Sequence, residues 1–357
     1  MKVLYLTPWY PSERDAMAGL FVQKHADAVR AQGIDVRVIH SLSWHDTWQQ
    51  WRTLKREWGL PDLVQLNVVQ KQGLLAYALQ RRYGIPYIIV EHWSGYLPEN
   101  GQYMQMPALK RRLYALIVRQ ASTLLCVSQR LADAMRACGL SNPDTRKINN
   151  VVDDFFYSAP QDYDISTSRD SDISTSRKTK TLLHVSCFDE RAKNVKGLLR
   201  AARMLAAKRQ DWRLVLVGTG IDYKEVRAYA DELNFPEGLL CWTGELTPQE
   251  VAEQMHQAEA LVLSSRYETY GIILAEAVAT GLPILSTPVG IAEETGAQIV
   301  TQEIAQQRPE LFAEYLEKML FSDLTKQSEN DYYSEQFTAE AVGRQLKQIY
   351  EQCLLPA

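Results

Sequence analysis

Short apolar runs alternate with amphipathic stretches along this chain of 357 residues, and the whole alternation occurs twice. Strands that alternate with helices predict a parallel sheet covered by helices, because each parallel connection needs a crossover. The strand-like runs of the first series span 2–7, 35–41, 63–69, 86–92 and 123–128, and those of the second series span 181–188, 212–220, 238–245, 260–265 and 283–287. Hydrophobic residues make up 46% of the chain, which is enough for two cores. The sequence therefore predicts an α/β protein with two doubly wound, Rossmann-like domains.

A polar, repeated stretch separates the two series. The hexapeptide DISTSR occurs at 164–169 and again at 172–177, and it offers no apolar face that a core could bury. Such Ser- and Thr-rich segments are typical of flexible linkers, with a functional peptide motif as the alternative. We predict an amino-terminal domain over 1–160, a linker over 161–179 and a second domain over 180–335.

Charge, cysteines and hydropathy disfavour several classes of protein. The 39 basic and 43 acidic residues give a net charge of −4, so no overall positive charge favours binding to nucleic acid. Five widely spaced cysteines, an odd number without a CxxC pair, disfavour a disulfide framework and a zinc site, and they fit a reducing, cytoplasmic compartment. The start MKVLYLTPWYP lacks the long apolar core of a signal peptide, and no run approaches membrane-spanning length.

Ligands of doubly wound sheets bind outside the carboxyl ends of the strands, and two such domains facing each other form a cleft there. After the first strand, Gly19 precedes an amphipathic stretch, where a glycine lets backbone amides approach a phosphate. The alternative for Gly19 is an ordinary turn residue. The chain contains neither GxGxxG nor the GxxxxGKS or GxxxxGKT of a P-loop, which disfavours the usual dinucleotide and P-loop sites.

Two other strand ends carry residues suited to a ligand. His92 ends the fourth strand-like run, where it is either a ligand-facing or a structural histidine. Lys193 follows the first strand of the second series and precedes a helix, where a compact cation suits a phosphate. The alternative for Lys193 and the neighbouring Arg191 is a pair of solvated loop charges.

Two glutamates bracket the segment ETYGIILAE at 268–276. The surrounding residues predict a strand end, a loop and a helix from about Gly271 to Thr280. Eight residues of helix rise roughly 12 Å, whereas the two carboxyl groups of a glycosidase lie about 5 to 9.5 Å apart. Glu268 and Glu276 are therefore expected to hold different parts of one long ligand. The helix start suits phosphate, Glu276 suits ribose hydroxyls and Glu268 suits sugar hydroxyls, which together describe a nucleotide sugar.

This segment, with its E-x7-E pattern inside YETYGIILAEAVATGLPILSTPVG, resembles the donor-binding signature of glycosyltransferase family 4, retaining enzymes of the GT-B fold. The resemblance covers nearly the whole chain, including EHWS, CVSQRLADAM, INNVVD, FDERAKN, VGTG and the closing FTAEAVGRQLKQIYEQCL. It implies two Rossmann-like domains that face each other across a cleft. It also implies that 336–357 forms a helix that crosses back to the amino-terminal domain.

The resemblance implies a role for each matched residue. Three of them form the implied catalytic set: His92 near the transferred sugar, Lys193 on the diphosphate and Glu268 on sugar hydroxyls. Gly19 would lie near the donor phosphates, and Glu276 would bind the ribose. The implied donor-binding set also contains Gly218 of VGTG, Arg191, Thr269 and the backbone amides of Tyr270, Gly271 and Ile272.

Two departures from the family pattern concern the donor. The family often has Gly-Arg at the end of the second domain's first strand, where this chain has Ser186 and Cys187. Either Arg191 substitutes for the missing arginine or Lys193 acts alone. Thr269 replaces the glycine that commonly follows the first glutamate, and this leaves the identity of the donor open.

The predicted function is transfer of a sugar from a nucleotide-sugar donor to a glycan or lipid-linked acceptor. The resemblance implies retention of configuration, with fixed cations and amides that stabilise the departing diphosphate and with that phosphate as the base. No metal or other cofactor is expected. One alternative is a nucleotide-sugar-binding protein without transferase activity, which the missing arginine favours. The other is a GT-B sugar-nucleotide epimerase, which would need acid and base carboxylates that the sequence does not offer.

Two basic, apolar stretches bear on the acceptor. In the first, Trp44, Trp48, Trp51 and Trp58 recur at helical spacing with Arg52, Lys55 and Arg56 between them; the second places Lys110, Arg111 and Arg112 beside Leu109, Leu113 and Leu116. Such faces are typical of peripheral contact with a membrane. The simpler interpretation, which we favour, is that both stretches turn their tryptophans and leucines inward and keep a solvated basic face.

Overall fold

The computed structural model describes residues 1–13, 15, 17–158, 179–322 and 334–355. Contacts divide the chain into two compact units, one formed by Met1–Val151 with Glu335–Ala357 and the other by Val152–Ser334. The linker predicted at 161–179 lies outside the described residues, apart from residue 179.

Six parallel strands make the sheet in the described part of the first unit, in the order β2-β1-β3-β4-β5-β6. The strands are β1 (Lys2–Thr7), β2 (Asp35–His40), β3 (Leu63–Asn67), β4 (Tyr87–Glu91), β5 (Thr123–Cys126) and β6 (Thr145–Lys147). The connecting helices are α1 (Leu20–Ala31), α2 (Trp44–Trp58), α3 (Gly73–Tyr83), α4 (Ala108–Gln120) and α5 (Gln129–Ala137). The three strands β1, β3 and β4 are almost wholly buried, as their largely apolar sequences predict.

The strand order fixes which helices share a face of the first sheet. The connection from β1 to β2 runs toward one edge of the sheet, whereas those through α2, α3 and α4 run toward the other edge. Right-handed crossovers therefore place α1 on one face and α2, α3 and α4 side by side on the opposite face. Side-chain bonds join these neighbours, from Lys55 Nζ to the Tyr83 hydroxyl at 2.8 Å and from Gln80 Nε2 to the Gln120 carbonyl at 2.9 Å.

The second unit repeats this architecture with a second sheet of six parallel strands among its described residues, in the order β12-β11-β10-β7-β8-β9. The strands are β7 (Lys180–Val185), β8 (Trp212–Val217), β9 (Leu240–Gly244), β10 (Ala260–Leu263), β11 (Ile284–Ser286) and β12 (Gln298–Ile299). The helices are α6 (Glu190–Lys193), α7 (Val195–Lys208), α8 (Tyr223–Glu232), α9 (Pro248–Gln257), α10 (Ile272–Ala279), α11 (Gln302–Gln307) and α12 (Pro309–Phe321). Its core packs α7 and α12 against buried strand residues such as Leu214 and Val262. The two doubly wound sheets predicted from the sequence are confirmed.

The closing helix, α13 (Ala339–Leu354), belongs to the first unit and packs against α1. Its fully buried Tyr350 donates a hydrogen bond to Gln65 Oε1 of β3 at 2.5 Å, and the Tyr5 hydroxyl of β1 lies 2.9 Å from the Tyr350 hydroxyl. The three side chains thus fasten the end of the chain to the centre of the first sheet. Neither α13 nor any other helix in the described ranges is long and apolar enough to cross a bilayer.

The two basic, apolar stretches differ in part from the interpretation we favoured. Trp51 is 3% exposed and packs inward, as expected, but Trp44 and Trp48 of α2 are 41% and 44% exposed. Leu109 of α4 is 79% exposed. The expectation that all tryptophans and leucines pack inward was therefore wrong for these three residues. They lie near the starts of α2 and α4, and the buried residues of α2 are Thr47 and Trp51.

Candidate functional site

The short helix α6 positions Lys193 at the carboxyl edge of the second sheet. The Asp189 side chain caps the helix by accepting from the Ala192 amide at 3.4 Å, and Asn194, in the left-handed region with a φ of 51°, separates α6 from α7. The Ser264 hydroxyl, directly after β10, donates to the carbonyl of Lys193 at 3.0 Å and to that of Asn194 at 3.2 Å. Asp189 thus fixes the start of α6, and Ser264 fixes its end, where Lys193 lies.

Lys193 forms an ion pair with Glu268, the first glutamate of the E-x7-E pattern. Its Nζ lies 2.5 Å from Glu268 Oε1, and the two side chains are 15% and 14% exposed. Ser265 donates from its hydroxyl to the same carboxylate oxygen at 2.8 Å. Burial alone would lower the pKa of Lys193, but Glu268, together with Cys187 and Asp189, acts in the opposite direction, and the pKa is raised above the ordinary value. Lys193 is thus a mostly buried cation beside an acid, and the solvated-loop alternative is wrong for this residue.

Arg266 fixes α6 from the end of the neighbouring strand β10, and this role was not predicted from the sequence. Its Nη2 donates to Asn194 Oδ1 at 2.9 Å, its Nη1 donates to the Glu190 carbonyl, and its backbone amide donates to the Ala192 carbonyl at 2.7 Å. A basic residue two positions before Glu268 was visible in the sequence. Nothing in the spacing indicated that its guanidinium turns back onto the backbone of a distant helix.

Gly218 of VGTG lies where two loops meet at the same edge of the sheet. Its φ is 118°, and a β-carbon at this position would lie 2.0 Å from the carbonyl oxygen of Ser186. Beneath this contact His184 is buried, with its Nδ1 2.9 Å from the Val262 carbonyl and its Nε2 2.9 Å from the Ser186 hydroxyl. Because a carbonyl only accepts, Nδ1 carries the proton and Nε2 accepts from Ser186.

Alanine at Gly218 is expected to destabilise the protein by at least about 3 kcal/mol, because the backbone of the 186–188 loop must move to admit the methyl group. Gly238→Ala is the matched control, since Gly238 also has a positive φ, 76°, but no atom lies within 4 Å of the added carbon. That control should lose only about 1 kcal/mol, the cost of the left-handed region. Urea unfolding of both variants measures the difference, and equal losses would contradict the close-approach argument.

The helix α10 begins beside the ion pair. Gly271 is its N-cap, with a φ of 75°, and a β-carbon there would lie 3.7 Å from the Glu268 side chain. Because glycine has no side chain, it offers no oxygen to the first amides of α10, and such a helix start attracts anions. Tyr270 is buried, and its carbonyl accepts from the Ile291 amide at 3.0 Å, which fixes the turn. The predicted helix from about Gly271 to Thr280 is observed as Ile272–Ala279.

The other residues of the implied donor set vary in exposure. Thr269 and Glu276 are half-buried, the latter on α10, whereas Ile272 is 38% exposed at its start. Arg191 lies on the same short helix as Lys193 but is exposed, as is Cys187 at the position of the family's arginine. The structure therefore pairs Lys193 with Glu268 and leaves Arg191 outside that pair.

In the first unit, Gly19 and His92 meet through Phe21. Gly19 is the N-cap of α1, and a β-carbon there would lie 2.3 Å from the Trp9 carbonyl oxygen, so only glycine fits. Two residues later, the Phe21 ring stacks on the His92 imidazole with centroids 4.1 Å apart. Both predicted residues thus lie together at the carboxyl edge of the first sheet.

A buried carboxylate holds the backbone on either side of His92. Glu91, the last residue of β4, is fully buried and accepts from the amides of His92 and Trp93 at 3.0 Å each. Its other oxygen accepts from the Val69 amide at 3.0 Å and the Tyr96 hydroxyl at 3.3 Å. Burial raises the pKa of Glu91, while these four donors act in the opposite direction. One signal of this role was visible in the sequence, namely a charged residue at the end of an apolar strand.

Burial also keeps His92 and its neighbour His25 neutral. It lowers the pKa of His25 to about 4 and, together with the nearby His25 ring, lowers that of His92 well below the ordinary value. His25 Nε2 donates to the Asn149 carbonyl at 3.0 Å. Among the described residues, His25 Nδ1 and His92 Nε2 are buried without a hydrogen-bond partner. Each ring therefore has one nitrogen that can form a hydrogen bond with a polar group at this edge of the sheet.

The buried histidines predict a loss of stability in mild acid. His25 and His184 have a pKa of about 4 in the folded protein and 6.5 as the reference value, so the unfolded chain binds more protons between these pH values. Stability should therefore fall as the pH falls from about 6.5 to about 4, by up to about 3 kcal/mol per histidine. Urea unfolding from pH 7 to pH 5 measures the slope. His184→Gln should flatten it, and exposed His45→Gln should leave it unchanged; a slope indifferent to His184→Gln would contradict the assignment.

Together these groups suit a phosphorylated, hydroxyl-bearing ligand in the second unit. A mostly buried cation and a helix start favour phosphate, and a carboxylate beside them accepts hydrogen bonds from hydroxyls. In the part of the chain that the structure describes, no group of three or more His, Cys, Asp or Glu side chains is arranged to hold a metal ion.

Comparison with known structures supports the same fold. Over 99% of this chain and 100% of its own, the structure of Anabaena HepE in complex with UDP-glucose superposes with a TM-score of 0.70 at 18% identity. At this identity the likeness concerns the fold alone. The predicted GT-B fold class, as two parallel six-stranded sheets flanked by helices, is thereby confirmed.

Two curated relatives are similar in sequence. The lipopolysaccharide 1,6-galactosyltransferase of Escherichia coli K12 is 31% identical over 111 residues, which is 30% of this chain and 30% of that protein. The N-acetyl-alpha-D-glucosaminyl L-malate synthase of Bacillus anthracis is 25% identical over 248 residues, or 65% of this chain and 60% of that protein. The chain thus matches less than two thirds of the length of either relative.

Two family models match consecutive parts of the chain. Residues 10–150 match the glycosyl transferase 4-like domain, and residues 167–336 match the glycosyl transferases group 1. The E-x7-E segment lies inside the second match, and Gly19 and His92 lie inside the first. Because the two models together match most of its length, the chain belongs to the group 1 glycosyl transferases, with a glycosyl transferase 4-like amino-terminal part.

Proposed function

We propose that this protein transfers a hexosyl group from a nucleotide-sugar donor to a glycan or lipid-linked acceptor, with retention of anomeric configuration. The observation that carries the proposal is the buried pair of Lys193 and Glu268 beside the start of α10. A cation, a helix start and an acid within one turn of each other provide for phosphate and sugar hydroxyls at the same place.

The pair assigns a role to each partner. When a diphosphate enters, Lys193 exchanges its bond to Glu268 for phosphate oxygens and neutralises the charge that grows on the leaving group. Glu268, still held by Ser265 at 2.8 Å, then accepts from sugar hydroxyls. Lys193 and the first amides of α10 thus bind the phosphate and neutralise its charge, with no bound metal.

We infer retention from the family resemblance, in which the departing phosphate takes the proton of the acceptor hydroxyl. Ser265 keeps one Glu268 oxygen engaged at 2.8 Å after Lys193 has turned to the phosphate, and the other oxygen is left to accept from sugar hydroxyls. Neutral His92, with its backbone fixed by Glu91, offers a polar but uncharged contact to a ligand at the carboxyl edge of the first sheet.

The relatives support a sugar donor without fixing its identity. One is named for galactosyl transfer in lipopolysaccharide and the other for a glucosaminyl product with malate, and the structurally similar HepE is described with UDP-glucose. All three names contain a hexose or a hexosamine, and the HepE complex links it to a nucleotide. The position of Cys187 in place of the family's arginine favours the one alternative that we retain, a nucleotide-sugar-binding protein without turnover.

Calorimetric titration with UDP-glucose, UDP-galactose, UDP-N-acetylglucosamine and GDP-mannose tests the donor. A true donor at a hundred times its dissociation constant should also raise the free energy of unfolding by about 2.7 kcal/mol. Turnover with a glycan acceptor separates the transferase from the binding protein, and the anomeric proton coupling of the product reports retention. Failure of all nucleotide sugars to bind would overturn the proposal, and an inverted product would overturn its stereochemistry.

A further inference from the structure

The start of α2 exposes an aromatic, apolar surface. Leu42, directly before the helix, is 69% exposed, and Trp44 and Trp48 one turn apart are 41% and 44% exposed. The two indole rings stack with centroids 6.4 Å apart and an interplanar angle of 22°. Trp51, seven residues after Trp44 and therefore on nearly the same side of α2 two turns later, is buried and anchors the helix in the core. Large exposed tryptophans on a rigid helix mark an interaction surface.

The start of α4 adds a second apolar point surrounded by positive charge. Leu109 is 79% exposed, and with Pro107, Leu113 and Leu116 it lines an apolar groove of about 580 Å³ edged by Lys110 and Arg112. This helix contains four basic residues and no acidic residue, in a chain whose net charge is −4. Positive charge is therefore concentrated beside the exposed leucine.

Topology brings these two helix starts to the same edge of the first sheet. α2 follows β2, α4 follows β4, and both helices lie on one face. In parallel sheets a helix that follows a strand begins at the strand's carboxyl end, which is also the edge where His92 follows β4. We name Leu42, Trp44, Trp48, Leu109, Lys110 and Arg112 the edge patch.

We propose that the edge patch docks on a bilayer of anionic phospholipids. Tryptophan suits the boundary between head groups and acyl chains, since its ring is apolar and its N–H is polar, while Lys110 and Arg112 suit lipid phosphates. A neutral protein surface would leave the basic charge of α4 unmatched. If the proposed function holds, this contact presents a lipid-linked acceptor to the edge that carries His92.

Sedimentation with vesicles tests this surface in the full-length protein. Vesicles of phosphatidylcholine mixed with phosphatidylglycerol should bind the protein, and pure phosphatidylcholine vesicles should bind it at least about tenfold more weakly. Binding should weaken further as salt is raised to about 0.15 M, where charges are screened within about 8 Å. Trp44→Ser with Trp48→Ser, and Lys110→Glu with Arg112→Glu, should each lower the partition coefficient at least about tenfold.

Two control pairs match these variants in exposure and charge. Met204 and Leu354 are 43% and 39% exposed, so Met204→Ser with Leu354→Ser removes two apolar side chains of similar fractional exposure elsewhere. Lys208 and Lys224 are exposed on α7 and α8, so Lys208→Glu with Lys224→Glu reverses the same charge elsewhere. Both controls should bind mixed vesicles like the parent protein.

Three outcomes would overturn the docking surface: no binding to mixed vesicles, equal binding to neutral ones, or equal losses in the control pairs. Titration with a soluble nucleotide sugar, in the absence of vesicles, separates this result from the proposed function. A protein that binds donor but not vesicles contradicts the edge patch alone. A protein that binds vesicles but no nucleotide sugar contradicts the proposed function and leaves the edge patch standing.

Discussion

Alanine at Lys193 is expected to weaken the binding of a nucleoside diphosphate by about 10- to 100-fold, because it removes a charge-assisted bond from a mostly buried site. Arg191→Ala is the matched control from the same short helix. Arg191 is exposed, and exposed ionic contacts contribute at most about 1 kcal/mol, so this variant should lose no more than about fivefold. Calorimetric titration with UDP and GDP measures both. Equal losses would mean that Arg191 has taken the place of the family's missing arginine.

The loss in Lys193→Ala has two physical sources, and a double variant separates them. Removing Lys193 leaves the Glu268 carboxylate, which is 14% exposed, without its cation, and a carboxylate facing a phosphate repels it. Lys193→Met combined with Glu268→Gln removes the repulsion as well as the attraction. If Lys193 itself binds phosphate, the double variant stays at least about tenfold weaker than the parent. Recovery to the parent affinity would mean that Lys193 only neutralises Glu268 and does not itself bind phosphate.

The fold could be predicted because the strands of parallel sheets are buried on both faces. Runs such as VLYL within β1 and ALVL in β10 are apolar throughout, and their alternation with amphipathic stretches leaves few topologies open. Two strands escaped prediction because they lack such a buried apolar run. Thr145–Lys147 and Gln298–Ile299 lie at edges of the sheets, are three and two residues long, and are exposed or half-buried.

The candidate site could be predicted only where spacing along the chain reflects chemistry. Glu268, Gly271 and Lys193 were identified because their positions relative to a strand end or helix start have a direct electrostatic meaning. Burial could not be predicted in the same way. Arg191 and Lys193 are both cations two residues apart, and only the four-residue helix decides that one is exposed and the other reaches Glu268.

The supporting residues were missed because they act across long sequence separations. Arg266 donates to the backbone of α6, more than seventy residues away in the sequence. Glu91 accepts hydrogen bonds from backbone amides of two loops. The exposure of the tryptophans was missed for a different reason, which concerns a single helix. Helical spacing of Trp44, Trp48 and Trp51 defined the helix, but which residues face the sheet depends on how α2 packs against it.

Glu268 and Glu276 are expected to fail in different ways, since one touches the cation and the other lies farther along α10. Glu276→Ala should weaken nucleoside diphosphate and intact donor alike, by about 1.5 to 3 kcal/mol, if its carboxylate binds ribose. Glu268→Gln should not weaken diphosphate binding, because Lys193 is released from its 2.5 Å bond and becomes available to phosphate. Its turnover should instead fall by about 100-fold, because its contact to the sugar matters most in the transition state.

Titration of each variant with diphosphate and with donor, followed by turnover with acceptor, checks this division. Glu303→Gln, at a side chain that is 70% exposed, is the control for a lost carboxylate and should change none of the three measurements. The decisive quantity is the ratio of diphosphate affinity to turnover, because unfolding lowers both together whereas the proposed roles separate them. The contrary result is that Glu268→Gln loses diphosphate binding as severely as Glu276→Ala while remaining folded. Glu268 would then support the phosphate site and not bind the sugar, and the assignment of the two glutamates to the two ends of the donor would be wrong.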